Sequence, residues 1–311
     1  MQSAVTWPDG KSFAFTIFDD TDDARLPEIK LVYDFLADIG IRSTKSIWPI
    51  RGEGIPLIGG STCEEPDYLD WALSLQQSGF EIALHNVTYH TSSRMNTIHG
   101  INRFGELFGH DPHTLANHAG CDESIYWGNA RLSGWRETLY NVLLLNRHKD
   151  LFQGHIESSP LFWGDICKAR IRYVRNFVFG GMNTLKSCPF MPYYDPLRPY
   201  VNGWFASSEG PSAESFNGTI SESAQDQLAA EGGACIMYTH LARGFSANGQ
   251  LNPRFRLLME RLSRMNGWFV PVKQLLDHLR NRPTIHTITM EQRALLERRW
   301  ILHRIRTFGS T

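Results

Sequence analysis

The sequence contains no CxxC pair, and its five cysteines are an odd number spread along the chain. Neither a zinc-finger framework nor a disulfide framework fits that usage, which reads as reduced thiols in a cytoplasmic protein. No apolar run exceeds five residues, Ala234 to Tyr238, whereas a membrane span needs about 20. The opening segment MQSAVTWPDGKSFAF lacks a basic stretch followed by an apolar one, so no secretory signal is expected. Charge of one sign is also missing: 31 Lys and Arg stand against 32 Asp and Glu. No global basic field is left for nucleic acid or anionic lipid. No GxGxxG follows the first strand, no GxSxG occurs, and no repeat of solenoid period is present. A dinucleotide-binding sheet, a serine hydrolase of the nucleophile-elbow type and a solenoid are thereby disfavoured.

What is present is a core. Hydrophobic residues make up 42% of 311 and aromatics 12%, enough for one large α/β domain or two average ones. Apolar periodicity switches between two and about 3.6 along the chain. Phe13 to Asp20 reads as a strand, and Ile29, Val32, Leu36 and Ile39 as a helix face ending at Gly40. Strands follow at Arg42 to Trp48, Phe80 to Leu84, Thr114 to Asn117, Tyr173 to Phe179, Gly203 to Ala206, Ala234 to Thr239 and Trp268 to Val272. Helices are expected at Pro66 to Gln77, Ile98 to Phe108, Trp135 to Leu145, Pro253 to Met265 and Val272 to Arg280. Roughly eight strand–helix steps favour a closed (β/α) barrel over a doubly wound open sheet. The stretch Gly181 to Gly218, rich in Pro, Asn, Ser and aromatics, reads as a long functional loop.

The pattern changes after Pro283. Thr289-x-x-Gln292 has the form of a capping box, and Ala294, Ile301, Ile305 and Phe308 make an apolar stripe beside Leu295 and Leu302. Five Arg and two Glu fall in residues 284–311. We expect a barrel over 1–282 and a helical extension over 283–311, laid against the barrel or serving as a contact between subunits of a homo-oligomer.

Three clusters carry chemistry. In FTIFDDTDDA, Asp19, Asp20, Asp22 and Asp23 lie at and beyond a strand's C-terminal end, the active-site rim of an α/β barrel. Turn and cap chemistry suits Asp22 and Asp23. Asp19 and Asp20 are different, because adjacent acids at a buried strand end repel unless a cation or proton intervenes. In EIALHNVTYHTSSR, His85 and His90 follow a strand. Five residues turn a helix by about 140°, so helical ligation is excluded and a loop must bring the two together. Asp20, His85 and His90 would form a two-His-one-carboxylate face for a divalent metal, zinc by default, with iron, cobalt, nickel or manganese compatible. In ACIMYTHLARG a buried strand delivers His240 at its end, a candidate general acid.

In this order the three segments resemble the polysaccharide deacetylase family (carbohydrate esterase family 4). The family's Thr-Phe-Asp-Asp-Gly motif matches Ile17-Phe18-Asp19-Asp20-Thr21, which implies a catalytic base at Asp19 and a metal ligand at Asp20. Its His-Ser/Thr-x-x-His motif matches His85 to His90 with one extra residue, and its Leu-x-His motif matches Tyr238-Thr239-His240, which implies the catalytic acid at His240. WFVPVKQLLDHL resembles the closing strand and helix. The implied fold is a distorted (β/α) barrel of seven or eight strands, and the implied activity is metal-dependent removal of an N-acetyl group from a sugar or glycoconjugate. The family's Arg-x-Pro-Tyr motif is absent from its place. Arg175, on a later strand, could substitute for the arginine that steadies the catalytic aspartate, or could be a snorkelling structural residue. Asn117, His118, Tyr126, Trp127 and Trp204 are expected to line the pocket. Alternatives are an amidase or esterase on a non-sugar substrate, and a barrel that binds a saccharide or partner without turnover.

Overall fold

The computed structural model describes residues 5–143, 150–280 and 285–307. Phe13–Asp19 (β1) is buried along its whole length, as expected of a strand covered on both faces. It pairs in parallel with Thr44–Ile47 (β2), which continues through Glu81–Leu84 (β3), Thr114–Leu115 (β4) and Tyr173–Phe179 (β5). Tyr193–Tyr194 (β6) lies outside this ring, antiparallel to Trp204–Glu209 (β7), which pairs with β5. Ala234–Thr239 (β8) joins β7 to β1 and closes a seven-stranded parallel barrel. The fold is the (β/α) barrel that the resemblance implies.

Helices ring the barrel: Leu26–Asp38 (α1), Pro66–Gln77 (α2), Arg94–Phe108 (α3), Trp135–Leu143 (α4), Gly164–Arg170 (α5), Thr184–Ser187 (α6), Ala213–Thr219 (α7), Glu222–Ala230 (α8), Pro253–Ser263 (α9) and Val272–Arg280 (α10). Local chemistry fixes their ends. Gly40 takes φ 76° just past α1, and Gly109 takes φ 76° past α3, the left-handed termination that glycine permits. Ser93 caps α3 by accepting from Asn96 N–H. A small hairpin, Ser246–Ala247 (β9) with Gln250–Leu251 (β10), precedes α9, and Gly267–Phe269 (β11) pairs with the first half of β1. The five cysteines are free and buried. Among the described residues no helix is long and apolar enough to cross a membrane.

Two expectations change. Gly181 to Gly218 is not a long loop: it contains α6, β6 and β7 and ends inside α7. Its Pro and Asn residues serve short connections instead, as Asn183 does by capping α6. The helix expected to reach Leu145 is described to Leu143, and residues 144 and 145 fall outside the described residues.

Beyond a short strand, His286–Thr287 (β12), the Thr289–Gln292 capping box starts the helix Met290–Arg306 (α11). Its buried face is not the purely apolar stripe expected, since Arg293 and Glu297 are buried with Leu296, Trp300 and Ile301; Phe308 lies outside the described residues. Both charges are answered. Arg293 donates to Asp195, with Nη2 2.5 Å from Oδ1, and Arg198 pairs with the same carboxylate. Glu297 accepts from Arg136 Nε at 2.5 Å and from Ser133 Oγ at 2.9 Å. A buried charge left without its partner is strongly destabilising.

Glu297→Ala should therefore lower unfolding free energy by about 3–5 kcal/mol in urea denaturation. Arg254→Ala, at an exposed pair with Glu222, should leave the midpoint in place. Burial pushes the Asp195 carboxyl up, but Arg293 and Arg198 outweigh it and hold it below its ordinary value. A depressed carboxylate stabilises fully above its unfolded pKa of about 3.9 and loses that contribution as pH falls through the folded value. Asp195→Asn should accordingly flatten the acid limb of the stability profile below about pH 4.

Candidate active site

Every group of interest lies at the C-terminal ends of the barrel strands. Asp19 ends β1, and its carboxylate is spent on structure: it accepts from Lys45 Nζ at 2.8 Å, Tyr33 Oη at 3.0 Å and the Leu241 backbone N–H at 2.8 Å. Lys45 is fully buried. Asp19 ties β1 to β2, α1 and the turn after β8, and it does not line the cavity at the rim.

Successive strand residues face opposite sides, so the next acid turns the other way. Asp20 lines the cavity and is held by both arms of Arg175, at 2.8 and 2.5 Å. Arg175 is buried on β5, beside a bulge between Arg175 and Val178 that shifts the register. The snorkelling alternative does not apply to a guanidinium so enclosed.

Asp22, expected in turn or cap chemistry, is the centre of the site. Oδ1 lies 3.0 Å from His85 Nε2 and 3.3 Å from His118 Nε2; Oδ2 lies 3.1 Å from His240 Nε2. Burial alone would push its carboxyl up, but His85, with His118 and His240, outweighs burial and holds it well below the ordinary carboxylate range. Helix α1 starts instead from Arg25, without a side-chain cap.

The structure thus brings Asp22, His85 and His118 together, with their ligand atoms within 4.8 Å of one another, rather than Asp20, His85 and His90. Asp20 is engaged by Arg175, with one oxygen 4.0 Å from His85. His90 packs against Tyr89 and takes no part in the cluster. His118 follows β4, next to β3, and its ring meets that of His85 edge-on at 5.0 Å. Asn86, at φ 50°, holds this arrangement by accepting from His118 N–H and donating to Glu123. Glu123 is buried, which pushes its carboxyl up to about 7. Neither Asn86 nor Glu123 was marked by any sequence signal, because each acts through a neighbour.

The donor set fits a divalent cation. His85 Nδ1 lies 3.1 Å from the Ala116 carbonyl, an acceptor, so the ring proton belongs on Nδ1 and the neutral Nε2 offers a lone pair. That lone pair faces a carboxylate oxygen at 3.0 Å, and two acceptors at this distance need a proton or cation between them. His118 Nδ1 accepts from Gly120 N–H at 3.2 Å. Ligation through its Nε2 requires the other tautomer, whose Nδ1–H has the Cys121 sulfur 3.6 Å away. Nε2 itself is buried without a hydrogen bond. Separations of 3.0 and 3.3 Å match adjacent ligands at about 2.0–2.1 Å from one ion.

The cavity measures about 330 Å³ and is also lined by Asn117, Trp127, Arg131, Tyr238 and Trp300. Asn117 clamps the following loop through both bonds to Ile125. Tyr126 and Trp204 meet each other at 6.0 Å in the core and stand outside the lining. Trp300, from α11, takes the wall expected of Trp204.

No family profile matches the sequence, and no curated protein matches it. Among solved structures, the chain is similar to a Mycobacterium smegmatis protein assigned as a polysaccharide deacetylase, at 14% identity and a TM-score of 0.53, over 92% of this chain and 97% of that one. It is also similar to PuuE allantoinase, at 12% identity and a TM-score of 0.51, over 89% and 93%. At these identities the likeness establishes the fold.

Metal content after incubation with zinc, measured by elemental analysis, should be near one ion per chain. Asp22→Asn and His85→Ala should abolish it, His118→Ala should lower it at least about tenfold in affinity, and His90→Ala should leave it unchanged.

Proposed function

We propose that the protein is a metal-dependent hydrolase of amide C–N bonds, removing an N-acetyl group from a sugar or glycoconjugate. The observation that carries this reading is the pairing of two different carboxylates at one rim: Asp22 among three histidines, and Asp20 locked on Arg175. Asp22, His85 and His118 would hold the ion, zinc being the default for this donor set. When bound, it would polarise the acyl carbonyl and lower the pKa of a water.

The other roles belong to the chain. Arg175 holds the Asp20 carboxylate in one orientation at the cavity wall, where it would accept the proton of the attacking water. In the family that the sequence resembles, an arginine steadies the catalytic aspartate, and the Asp20–Arg175 pair supplies that arrangement. The resemblance therefore carries over with its register moved, base and ligand falling on Asp20 and Asp22. His240 lies across from Asp20, its Nδ1 2.9 Å from the Pro211 carbonyl and 3.2 Å from Arg243. Its Nε2, 3.1 Å from Asp22 Oδ2, faces the cavity and is the atom that would hand a proton to the departing amine.

A second reading, an amidase acting on a non-sugar molecule, is favoured by one observation. The cavity is walled by Trp127, Trp300 and Tyr140, the enclosed aromatic form of a small-ligand site. Acetate release from N-acetylated sugars, against amide hydrolysis of N-acyl amino acids and cyclic ureides, separates the two.

Asp20→Asn should keep its metal and lose about 10²–10⁴-fold in turnover, the usual worth of a general base. Asp22→Asn should lose metal and turnover together. Metal analysis beside acetate release on both variants decides it: equal metal loss in the two would mean that the carboxylates share the ion and that this division of roles is wrong.

A further inference from the structure

Among the described residues, buried arginines have carboxylate partners, with one exception in the cavity wall. Arg175 pairs with Asp20, while Arg198 and Arg293 share Asp195. Arg131 ends the 3-10 turn Gly128–Arg131 and is 6% exposed. Among the described residues it makes no ion pair, and its Nε is buried without a hydrogen bond. Its guanidinium stacks 3.2 Å from the centroid of the Trp127 ring and 5.1 Å from that of Trp300. Aromatic faces orient a guanidinium but do not neutralise it.

Its surroundings add positive charge. Arg304, one turn beyond Trp300 on α11, lines the same cavity, and its Nη1 lies 3.9 Å from Glu209. Burial, together with the charges of Arg304 and Arg175, pulls Arg131 down to about 9. A buried, rigidly stacked guanidinium that lacks an anion costs stability, and here it faces open volume. The cavity is lined from two parts of the chain. Asp20, Asp22, His85 and His240 contribute to its wall from the strand ends, and Arg131, Trp127 and Trp300 contribute from the turn and from α11.

We propose that Arg131 is a specificity-determining residue that binds an oxyanion of the substrate, so the acylated molecule carries a carboxylate or phosphate group. This deepens the hydrolase reading by naming the substrate class, and it rests on that reading only for which bond is cut. The planar fork of the guanidinium suits two coplanar oxygens of either anion, and the ring stacking selects its orientation.

Calorimetric titration of the full chain with inorganic phosphate and, separately, with benzoate tests the proposal. At least one anion should bind the parent protein. Arg131→Met, which keeps bulk and removes charge, should weaken that binding at least about tenfold, and Arg131→Lys should fall between. The anion that binds shows which oxyanion the site takes. His85→Ala should retain the binding, which separates this site from the metal cluster. If Arg131→Met fails to fold, the parent-to-Lys comparison decides instead, together with the rise in melting temperature that bound anion produces. Binding of neither anion to the parent, or equal binding by parent and variants, overturns the proposal. Failure to release acetate from any substrate would count against the hydrolase reading and leave this titration standing.

Discussion

Three carboxylates within four residues of one strand end, all buried, cannot remain ionised unless each finds its own positive or proton-bearing partner. That constraint organises the rim. Asp19 takes Lys45 from β2, Asp20 takes Arg175 from β5, and Asp22 takes the histidines that follow β3, β4 and β8. β1 is thereby tied by charge to strands it does not touch by hydrogen bonding as well as to its neighbours. The same contacts that make burial tolerable also fix the distances of the site. Electrostatics here is a positioning device first, because nothing in the rim can shift without leaving a charge unanswered in a medium of low dielectric.

The separation of roles among these acids follows from strand geometry. Asp19 closes β1 and is met by Tyr33 from α1 and Lys45 from β2. Asp20 faces the cavity. Two residues on, past the turn, Asp22 reaches the histidines. A second layer holds the first: the Ala116 carbonyl orients His85, and Glu123 acts through Asn86 on the His118 backbone. Such outer contacts set ring orientation and tautomer, on which any ligand geometry depends.

Much of the barrel was legible because β1, β3, β5 and β8 are predominantly apolar and the acids and histidines stand at or just past the ends of several of them. The arrival of Asp20, His85 and His240 at one rim follows from that same pattern. What was not legible was which neighbour in sequence is a neighbour in space. His90 is five residues from His85 yet lies away, while His118 arrives from a two-residue strand that leaves almost no periodic signal. Asp19 and Asp20 look equivalent until alternation sends them to opposite faces. Trp204 reads as a pocket wall by its chemistry, but it is buried in the core, and Trp300 lies in a helix whose apolar stripe reads through Ala294, Ile301 and Ile305. Arg293 and Glu297 are buried there because Asp195, Arg136 and Ser133 come from distant loops, a pairing that no local pattern records.

The docking of α11 places Trp300 and Arg304 in the cavity, more than 200 residues along the chain from Asp20. Asp20, Asp22, His85 and His240 reach the cavity from the ends of barrel strands, whereas Trp300 and Arg304 reach it from one helical face at a four-residue interval. The two can vary independently. Substitutions at 300 and 304 redraw the envelope offered to a ligand while the anchors Arg293 and Glu297, one and two turns earlier, keep the helix seated. The acid and histidine cluster and this part of the cavity wall are thus carried by separate elements of the chain.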